Sequence, residues 1–349
     1  MTSNFFRSTR EAVRSPRWQL CLALAALPLA ALLCAGTGSA GTLTPDQVRG
    51  ASDRATLQAD DPALVGSHAA AEDTSVERTV VPALRVRKTR LNLKSSSVVV
   101  MDAQDSSILY SKHADVPMPI ASISKLLTAL VVLEAEQPMD EVLTITDEDR
   151  DTEKNTTSRL TIGTELTRDD LFHLALMASE NRAAHALARN YPGGMDAFIP
   201  AMNAKAKALG MTSAHFVEPT GLSSKNVSSA ADLTKLVTAA SRNPLIRNYS
   251  TYRSYAVPIN GRFVEFHTTN SLVTKSNWDI AVQKTGYTLE AGRCLVMKTL
   301  IQDRAVVMVL LHSAGTRTRV ADAGRIRKWV EAALALDDGP TTLRSQNLR

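Results

Sequence analysis

Apolar residues recur three and four positions apart along several stretches of this chain, and this spacing places them on one face of an α-helix. The clearest stretch is 119–134, where Ile123, Leu126, Leu127 and Leu130 follow the pattern. It opens with a proline, a residue that is favoured in the first turn of a helix. The same spacing predicts further helices over 167–191, 195–209, 229–241 and 319–336.

Short runs rich in valine, isoleucine and aromatic residues predict β-strands before and after these helices. The runs are 98–101, 108–110, 142–145, 255–259, 262–266, 280–287, 293–301 and 305–312. Asn260-Gly261 separates two of them and is a strong signal for a tight hairpin turn. Because strands come early and late with helices between them, both ends of the domain are expected to meet in one sheet. The sequence therefore predicts an α+β fold, with an antiparallel sheet flanked by helices and an all-helical subdomain.

The amino-terminal residues have the pattern of an export signal. Arginines up to Arg17 precede an apolar run at 20–35, which is short for a membrane span, and small residues allow cleavage near Ala40. Residues 1–40 are therefore predicted to be a signal peptide. An uncleaved membrane anchor is the alternative.

The segment after this signal lacks any sustained apolar period. Residues 41–90 are rich in Ala, Asp, Ser and Thr and are predicted to be a flexible spacer. This leaves 91–337 as the folded domain and 338–349 as a C-terminal tail. Cys294 is the only cysteine outside the signal, so no internal disulfide is expected, and its apolar neighbours predict a buried thiol.

The formal net charge of +5 places few limits on partners. Four arginines and one glutamate lie within residues 1–40, so most of the excess positive charge belongs to the predicted signal. No nucleic-acid partner is predicted from the nearly neutral remainder. The seven histidines lack the spacing of metal ligands, so neither a metal site nor a cofactor is predicted.

Two polar side chains lie near the start of the apolar stretch 119–134. Ser122 and Lys125 are three residues apart, which on a helix brings their side chains together on one face. A buried lysine is costly unless its charge is paired or removed. The pair is therefore a candidate nucleophile and base, and Ser-x-x-Lys occurs once in the chain. The alternatives are a helix-capping serine and a lysine that extends into solvent.

Lys284-Thr285-Gly286 lies on a predicted strand near its end. Gly286 would allow a substrate backbone to approach closely. On a flat strand the side chains of Lys284 and Thr285 point to opposite faces, so both serve one site only if the strand twists or follows its edge. The alternative is a strand that simply ends at a turn.

Ser179-Glu180-Asn181 interrupts the apolar helical block at 167–191. The Ser-x-Asn pattern recurs at 224–226 and 241–243, but there it falls in a loop and at a helix end, where serine and asparagine are common. Polar residues inside an apolar helical block need another explanation. Ser179 and Asn181 are therefore candidate site residues.

Together and in this order, the three motifs resemble the signature set of the penicillin-recognising serine enzymes. The resemblance covers about 91–336 and indicates the low-molecular-mass penicillin-binding proteins of the D-alanyl-D-alanine endopeptidase type, as in LMASENRAAHALAR, FVEPTGLSSKNVSSAADL and QKTGYTLEAGRCLVM. It implies a β-lactamase/transpeptidase-like fold and a D,D-peptidase catalytic domain at 91–337. It also implies hydrolysis of the D-alanyl cross-links of peptidoglycan through a covalent acyl-enzyme.

This chemistry requires a nucleophile, a base and donors to an oxyanion. Ser122 is expected to attack, and Lys125 must be neutral to accept its proton. We expect Lys284 and the positive end of the helix to lower the pKa of Lys125.

The remaining roles are implied by the resemblance. Ser179 is expected to relay a proton to the leaving amine, and Asn181 to hold the lysine and the substrate amide. The backbone N–H groups of Ser122 and Tyr287 are expected to form the oxyanion hole, and Lys284 and Thr285 to bind the substrate carboxylate. The substrate-binding residues expected in this way are Lys284, Thr285, Gly286 and Tyr287.

Three other functions remain open at this point: a D-alanyl-D-alanine carboxypeptidase, a serine β-lactamase and a non-catalytic binder that senses muropeptides or β-lactams. Glu218-Pro219 faintly resembles the loop that positions a deacylating glutamate in class A β-lactamases, but the following residues 220–222 differ. Carboxypeptidase relatives usually continue into a β-rich domain and an amphipathic anchor. Neither is predicted after 319–336, and this expectation favours the endopeptidase.

The resemblance also names the expected partners and compartment. Peptidoglycan cross-links are the expected substrate, and β-lactam antibiotics are expected acylating inhibitors. The predicted export signal implies the periplasm, with no stable membrane anchor after cleavage.

Overall fold

The structure is a computed structural model that describes residues 91–315 and 317–337. Strands lie at both ends of this part of the chain, and most helices lie between them. In chain order the elements are β1 (Ser95–Asp102), β2 (Ile108–Lys112), β3 (Met118–Pro119), α1 (Ser124–Glu134), β4 (Val142–Thr144), β5 (Glu165–Thr167), α2 (Arg168–Met177), α3 (Asn181–Arg189), α4 (Gly194–Ala208), β6 (Val227–Ser228), α5 (Ala230–Ala240), α6 (Pro244–Thr251), β7 (Ser254–Ile259), β8 (Arg262–His267), β9 (Asp279–Thr288), β10 (Gly292–Ile301), β11 (Arg304–Ser313) and α7 (Thr318–Asp337).

One antiparallel sheet joins the start and the end of the described chain. Its strand order is β2-β1-β11-β10-β9, so β9 is an edge strand. The first strand pairs with the last, and Val99 lies opposite Val309. The predicted meeting of the two ends in one antiparallel sheet is therefore confirmed.

Both faces of this sheet are buried under helices. Val99 on β1 belongs to the same apolar cluster as Leu126 of α1. Its neighbour Val98 faces the other way and joins the cluster that contains Ile326 of α7. Two covered faces explain why the central strands are apolar along nearly their whole length. Cys294 lies in the first cluster as a fully buried free thiol, as predicted, and burial raises its pKa to about 11.

The helices between the strands form the predicted all-helical part. Helix α2 begins with a reciprocal cap, in which Thr167 accepts from the backbone N–H of Asp170 and the Asp170 carboxylate accepts from the backbone N–H of Thr167. The block predicted over 167–191 is divided into α2 and α3 by a three-residue join. Ser179 in this join has a φ of +62°, which an α-helix does not allow.

The helix predicted from residue 119 begins later in the structure. Pro119 belongs to strand β3, and Ser122 lies in a 3₁₀ turn at Ala121–Ile123 that leads into α1 at Ser124. Ala121 has a φ of +50°, so the backbone cannot be α-helical there. The predicted start of this helix was therefore wrong, because pairing of β3 with β6 competes with helix formation.

Two further elements differ from the sequence prediction. No helix was predicted directly after the one expected over 229–241, but Pro244 opens α6, where the side chain of Asn243 caps the first turn. Strands β7 and β8 form the predicted Asn-Gly hairpin, but they pair only with each other rather than with the central sheet.

The predicted signal peptide (1–40), spacer (41–90) and tail (338–349) lie outside the described residues. These assignments and the domain limits stay predictions. Within the described part of the chain, no helix has the length and apolar character needed to cross a membrane.

Candidate active site

The side chains of Ser122 and Lys125 are in direct contact. Nζ of Lys125 lies 2.9 Å from Oγ of Ser122. The same amine lies 2.7 Å from Oδ1 of Asn181 and 2.6 Å from the carbonyl O of Thr220. Lys125 is only 1% exposed, so its amine has exchanged water for these three oxygen atoms.

The environment of Lys125 lowers its pKa from 10.5 to about 8. Burial is the main cause, because an ammonium is less stable away from water, and the carboxylates of Glu218, Glu180 and Asp151 act in the opposite direction. The predicted direction is confirmed, but the main cause is burial rather than the predicted charge of Lys284. Burial also lowers the pKa of Lys284 well below its usual value, and the charges of Lys125 and Arg319 act in the same direction.

Asn181 is the first residue of α3 and makes two contacts with the ends of its amide. Oδ1 accepts from Lys125, and Nδ2 donates to Oγ1 of Thr156 at 3.1 Å. Ser179, two residues earlier, lines the same cavity as Ser122 and Asn181. The left-handed backbone of Ser179 turns the chain between the two helices.

The triplet on β9 lies beside the turn that carries Ser122. A Cβ atom added to Gly286 would be 2.9 Å from the carbonyl O of Ile120 and 3.1 Å from the backbone N of Ser122. This close approach explains the glycine. Oγ1 of Thr285 lies 2.5 Å from Oγ1 of Thr269, whereas the fully buried Lys284 donates to the carbonyl O of Thr285 at 3.0 Å.

One cavity brings most of the predicted site residues together. Lys125 and Lys284 are buried and do not line this cavity. The side chains of Lys284 and Thr285 therefore have different environments, as expected for successive residues of a β-strand, whose side chains point to opposite faces. The predicted residues that line the cavity are Ser122, Ser179, Asn181, Thr285, Gly286 and Tyr287.

The sequence prediction missed Arg319, which reaches the cavity from α7. Its Nη1 donates to the carbonyl O of Gly286 at 2.9 Å and of Cys294 at 3.1 Å. A single arginine on a closing amphipathic helix has no local signal for such a role. Only the packing of α7 against the sheet brings it to β9.

The prediction also missed the network that holds the loop before β6. The carboxylate of Glu218 accepts from the backbone N–H of Thr220 at 2.6 Å and of Gly221 at 2.7 Å. Nδ2 of Asn226 donates to Glu218 and to Oγ of Ser124. Asn226 is fully buried, although the sequence suggested an ordinary loop residue. This network holds the carbonyl of Thr220 against Lys125.

Gly221 packs directly under the candidate nucleophile, with a φ of +81°. A Cβ atom there would lie 1.9 Å from the carbonyl O of Ala121 and 2.8 Å from the backbone N of Ser122. We expect Gly221→Ala to displace this turn and to slow acylation by a labelled penicillin by about 100-fold, since a shift of about 1 Å is enough for such a loss. Stopped-flow measurement of the acylation rate constant tests this.

Gly163 provides a matched control for this prediction. It has a φ of +82°, but among the described residues only Gly163 itself and its chain neighbours come within 4 Å of the position that a Cβ would occupy. Gly163→Ala should therefore show only the cost of the backbone conformation, about 1–2 kcal/mol, with an unchanged acylation rate. Equal acylation rates for both variants would contradict the steric explanation.

Comparison with known proteins identifies the family. A family model for peptidase S11, described as D-alanyl-D-alanine carboxypeptidase, matches residues 84–315. The chain belongs to this family. It is therefore a serine-type D,D-peptidase, as its motifs predict.

Individual relatives of the S11 family agree with this assignment. A D-alanyl-D-alanine endopeptidase of Escherichia coli strain K12 is 48% identical over 241 residues, which are 68% of this chain and 78% of that protein. A D-alanyl-D-alanine endopeptidase of Pseudomonas aeruginosa is 47% identical with the same coverage.

A solved structure of a related fold tests the predicted fold class. The crystal structure of the Streptomyces K15 DD-transpeptidase is 28% identical and superposes with a TM-score of 0.65, covering 70% of this chain and 99% of that one. The α+β, transpeptidase-like architecture predicted from the sequence is therefore confirmed.

Proposed function

We propose that this protein is a D-alanyl-D-alanine endopeptidase that hydrolyses peptide cross-links of peptidoglycan through an acyl-enzyme on Ser122. The contact of 2.9 Å between Ser122 and the buried amine of Lys125 carries the proposal, because it pairs a nucleophile with a base. The endopeptidase reaction is favoured by the two relatives of that name at 48% and 47% identity.

The contacts of Lys125 determine how its neutral form acts. A neutral amine has two N–H bonds and one lone pair, and Nζ faces three oxygen atoms. Oδ1 of Asn181 and the carbonyl O of Thr220 can only accept, so they take the two N–H bonds. The lone pair then faces the hydroxyl of Ser122, which is the one partner that can donate. Deprotonation of Lys125 therefore converts it into a base aimed at the nucleophile.

Attack on the D-alanyl carbonyl creates an oxyanion that needs nearby donors. The backbone N–H groups of Ser122 and Tyr287 are the proposed pair, and the absence of a side chain at Gly286 lets the carbonyl come between the two backbones. The Ser122 proton passes to Lys125. Ser179, which lines the cavity, is the proposed relay to the leaving amine, and Asn181 also binds the substrate amide.

The carboxylate next to the scissile bond needs a cationic or hydroxyl partner. Thr285 and Arg319 both line the cavity and are proposed to bind it, since a guanidinium and a hydroxyl can donate to the same carboxylate. Lys284 is too buried to reach the cavity as a surface charge. Lys284 is proposed to act from its buried position, by donating a hydrogen bond that polarises the carbonyl group of Thr285.

A carboxypeptidase is the second candidate, because the family model carries that description. Both reactions cut the same kind of bond, but a carboxypeptidase releases free D-alanine whereas an endopeptidase releases a second peptide stem. A β-lactamase mechanism that depends on a glutamate is not supported by Glu218, whose two carboxylate oxygens hold the backbone of its own loop.

The periplasm is the proposed location, and this rests on the predicted signal at 1–40. β-Lactams are the proposed acylating inhibitors.

Digestion of purified cross-linked peptidoglycan distinguishes the two peptidase reactions. We expect cross-linked dimers to decrease and monomers to increase when the muropeptides are separated by chromatography. A carboxypeptidase would instead release D-alanine from pentapeptides and leave the dimers intact. Enzyme that was first incubated with penicillin is the control, and unchanged dimers with untreated enzyme would refute the endopeptidase proposal.

A further inference from the structure

We propose that Thr156, oriented by Asp151, is a positioning residue that fixes the amide of Asn181 with Oδ1 toward Lys125. The inference rests on the proposed function, because it concerns how the proposed base is aimed at Ser122. It adds a loop between β4 and β5 to the machinery, although no sequence motif marks this loop.

Asp151 determines where the hydroxyl proton of Thr156 points. Its Oδ2 accepts from Oγ1 of Thr156 at 2.7 Å and from the backbone N–H of Thr156 at 2.8 Å. Its Oδ1 accepts from the backbone N–H groups of Glu153 and Lys154 at 2.9 and 2.8 Å. A carboxylate can only accept, so the Thr156 hydroxyl must donate to it.

With its proton directed at Asp151, the Thr156 hydroxyl offers only a lone pair to Asn181. Nδ2 of Asn181 lies 3.1 Å from this oxygen and donates to it. The two ends of an asparagine amide have nearly the same shape, so packing alone does not choose between them. The hydroxyl makes the choice, and Oδ1 of Asn181 is left facing Lys125 at 2.7 Å.

A rotated amide would disturb the base directly. It would present N–H bonds to Lys125, and the neutral amine would then point its lone pair at Asn181 instead of Ser122. With Oδ1 of Asn181 facing Lys125, the amide offers no N–H bond to the lone pair of the neutral amine. Thr156 lines the cavity and is exposed, so its hydroxyl is positioned by hydrogen bonds rather than by burial.

The loop that carries Thr156 is attached to the other side of the cavity. Nζ of Lys154 lies 2.5 Å from Oε1 of Glu290, in the turn between β9 and β10. Together with the four hydrogen bonds to Asp151, this ion pair restricts the loop. These contacts therefore hold the Thr156 hydroxyl in position relative to Asn181.

The proposal predicts a change in the pH dependence of acylation. The charged groups that face Lys125 are Glu218, Glu180 and Asp151, which raise its pKa, and the nearby Lys284. Oδ1 of Asn181 also favours the ammonium form of Lys125, because it accepts a hydrogen bond from it. Loss of this ordered acceptor should lower the pKa of Lys125. The acylation rate should then begin to rise at a lower pH than in the wild type. It should also reach a lower plateau, because the lone pair of Lys125 is less well directed at Ser122.

Thr156→Val removes the hydroxyl and keeps the shape of the side chain. We expect the plateau rate of acylation by a fluorescent penicillin to fall about tenfold, a typical loss for a misaligned proton transfer. The midpoint of the pH profile should move down by about half a pH unit. Thr156→Ser restores the hydroxyl and should recover both values. Asp151→Asn replaces the carboxylate with an amide that can either accept from or donate to the Thr156 hydroxyl, so we expect an intermediate loss in plateau rate. Its midpoint should also move down, because a carboxylate that raises the pKa of Lys125 is lost.

Thr157→Val is the matched control, since Thr157 is exposed in the same loop and makes no hydrogen bond to the residues that the structure describes. It should behave as the wild type, and thermal unfolding should be alike for all variants. An unchanged plateau and midpoint in Thr156→Val would overturn the inference while leaving the proposed function intact. Retained acylation in Ser122→Ala would instead overturn the proposed function.

Discussion

Ser122→Ala is expected to abolish the covalent penicillin adduct and to reduce cleavage of cross-linked muropeptides by about 10⁴-fold or more, as for other nucleophile deletions. The alanine leaves Lys125 without the one partner that can donate a proton to it. The residual activity would come from oxyanion stabilisation and substrate binding alone. Mass spectrometry of the intact protein after incubation with penicillin measures the adduct directly.

Ser111→Ala is the matched control for this prediction. Ser111 lies on β2, the strand at the opposite edge of the sheet from β9, and is exposed. Its variant should form the adduct at the wild-type rate. If Ser122→Ala still acquired the mass of penicillin, another residue would be the nucleophile and the proposed mechanism would be wrong.

Lys125→Met is expected to slow acylation by about 10³-fold or more, because methionine keeps much of the volume but removes the base. In the wild type the rate should rise with pH, with a midpoint at about 8, since only the neutral amine accepts the proton of Ser122. Below this pH the amine is protonated and the rate falls. The methionine variant should lose this dependence altogether.

The pH profile of the acylation rate constant tests both parts of this prediction. Lys207→Met is the control, because Lys207 is exposed near the end of α4 and should retain the wild-type profile. A midpoint near the ordinary lysine value of 10.5 would mean that burial does not tune Lys125. If Lys125→Met kept the midpoint of the wild type, another group would be the base.

Local sequence patterns predicted much of the fold. Asn260-Gly261 marked the β7–β8 hairpin, and both residues have the positive φ values that such a turn requires. The helix start at Pro119 and the missed α6 show the limit of these patterns. A proline is compatible with a strand, a helix start or a position beyond a helix, and its neighbours in space decide among them.

The environment of the candidate residues was harder to predict than their identity. Lys284 was expected to be the cation that lowers the pKa of Lys125, but burial is the main cause. Burial of one side chain depends on what every neighbouring element contributes, and a three-residue motif does not contain this information. Asn226 was passed over for the same reason, since a fully buried amide and an exposed one have the same local sequence.

The order and spacing of Ser122, Lys125, Ser179, Asn181 and the Lys284 triplet were sufficient to determine the class of reaction. These motifs lie within short segments, and their chemistry is set by the residue types. The tertiary structure decided everything that depends on residues far apart in the chain. Arg319 reaches the cavity only because α7 packs on the sheet, and Thr156 meets Asn181 only because its loop crosses beside α3. Such contacts depend on how the elements pack, which the sequence pattern of a single element does not reveal.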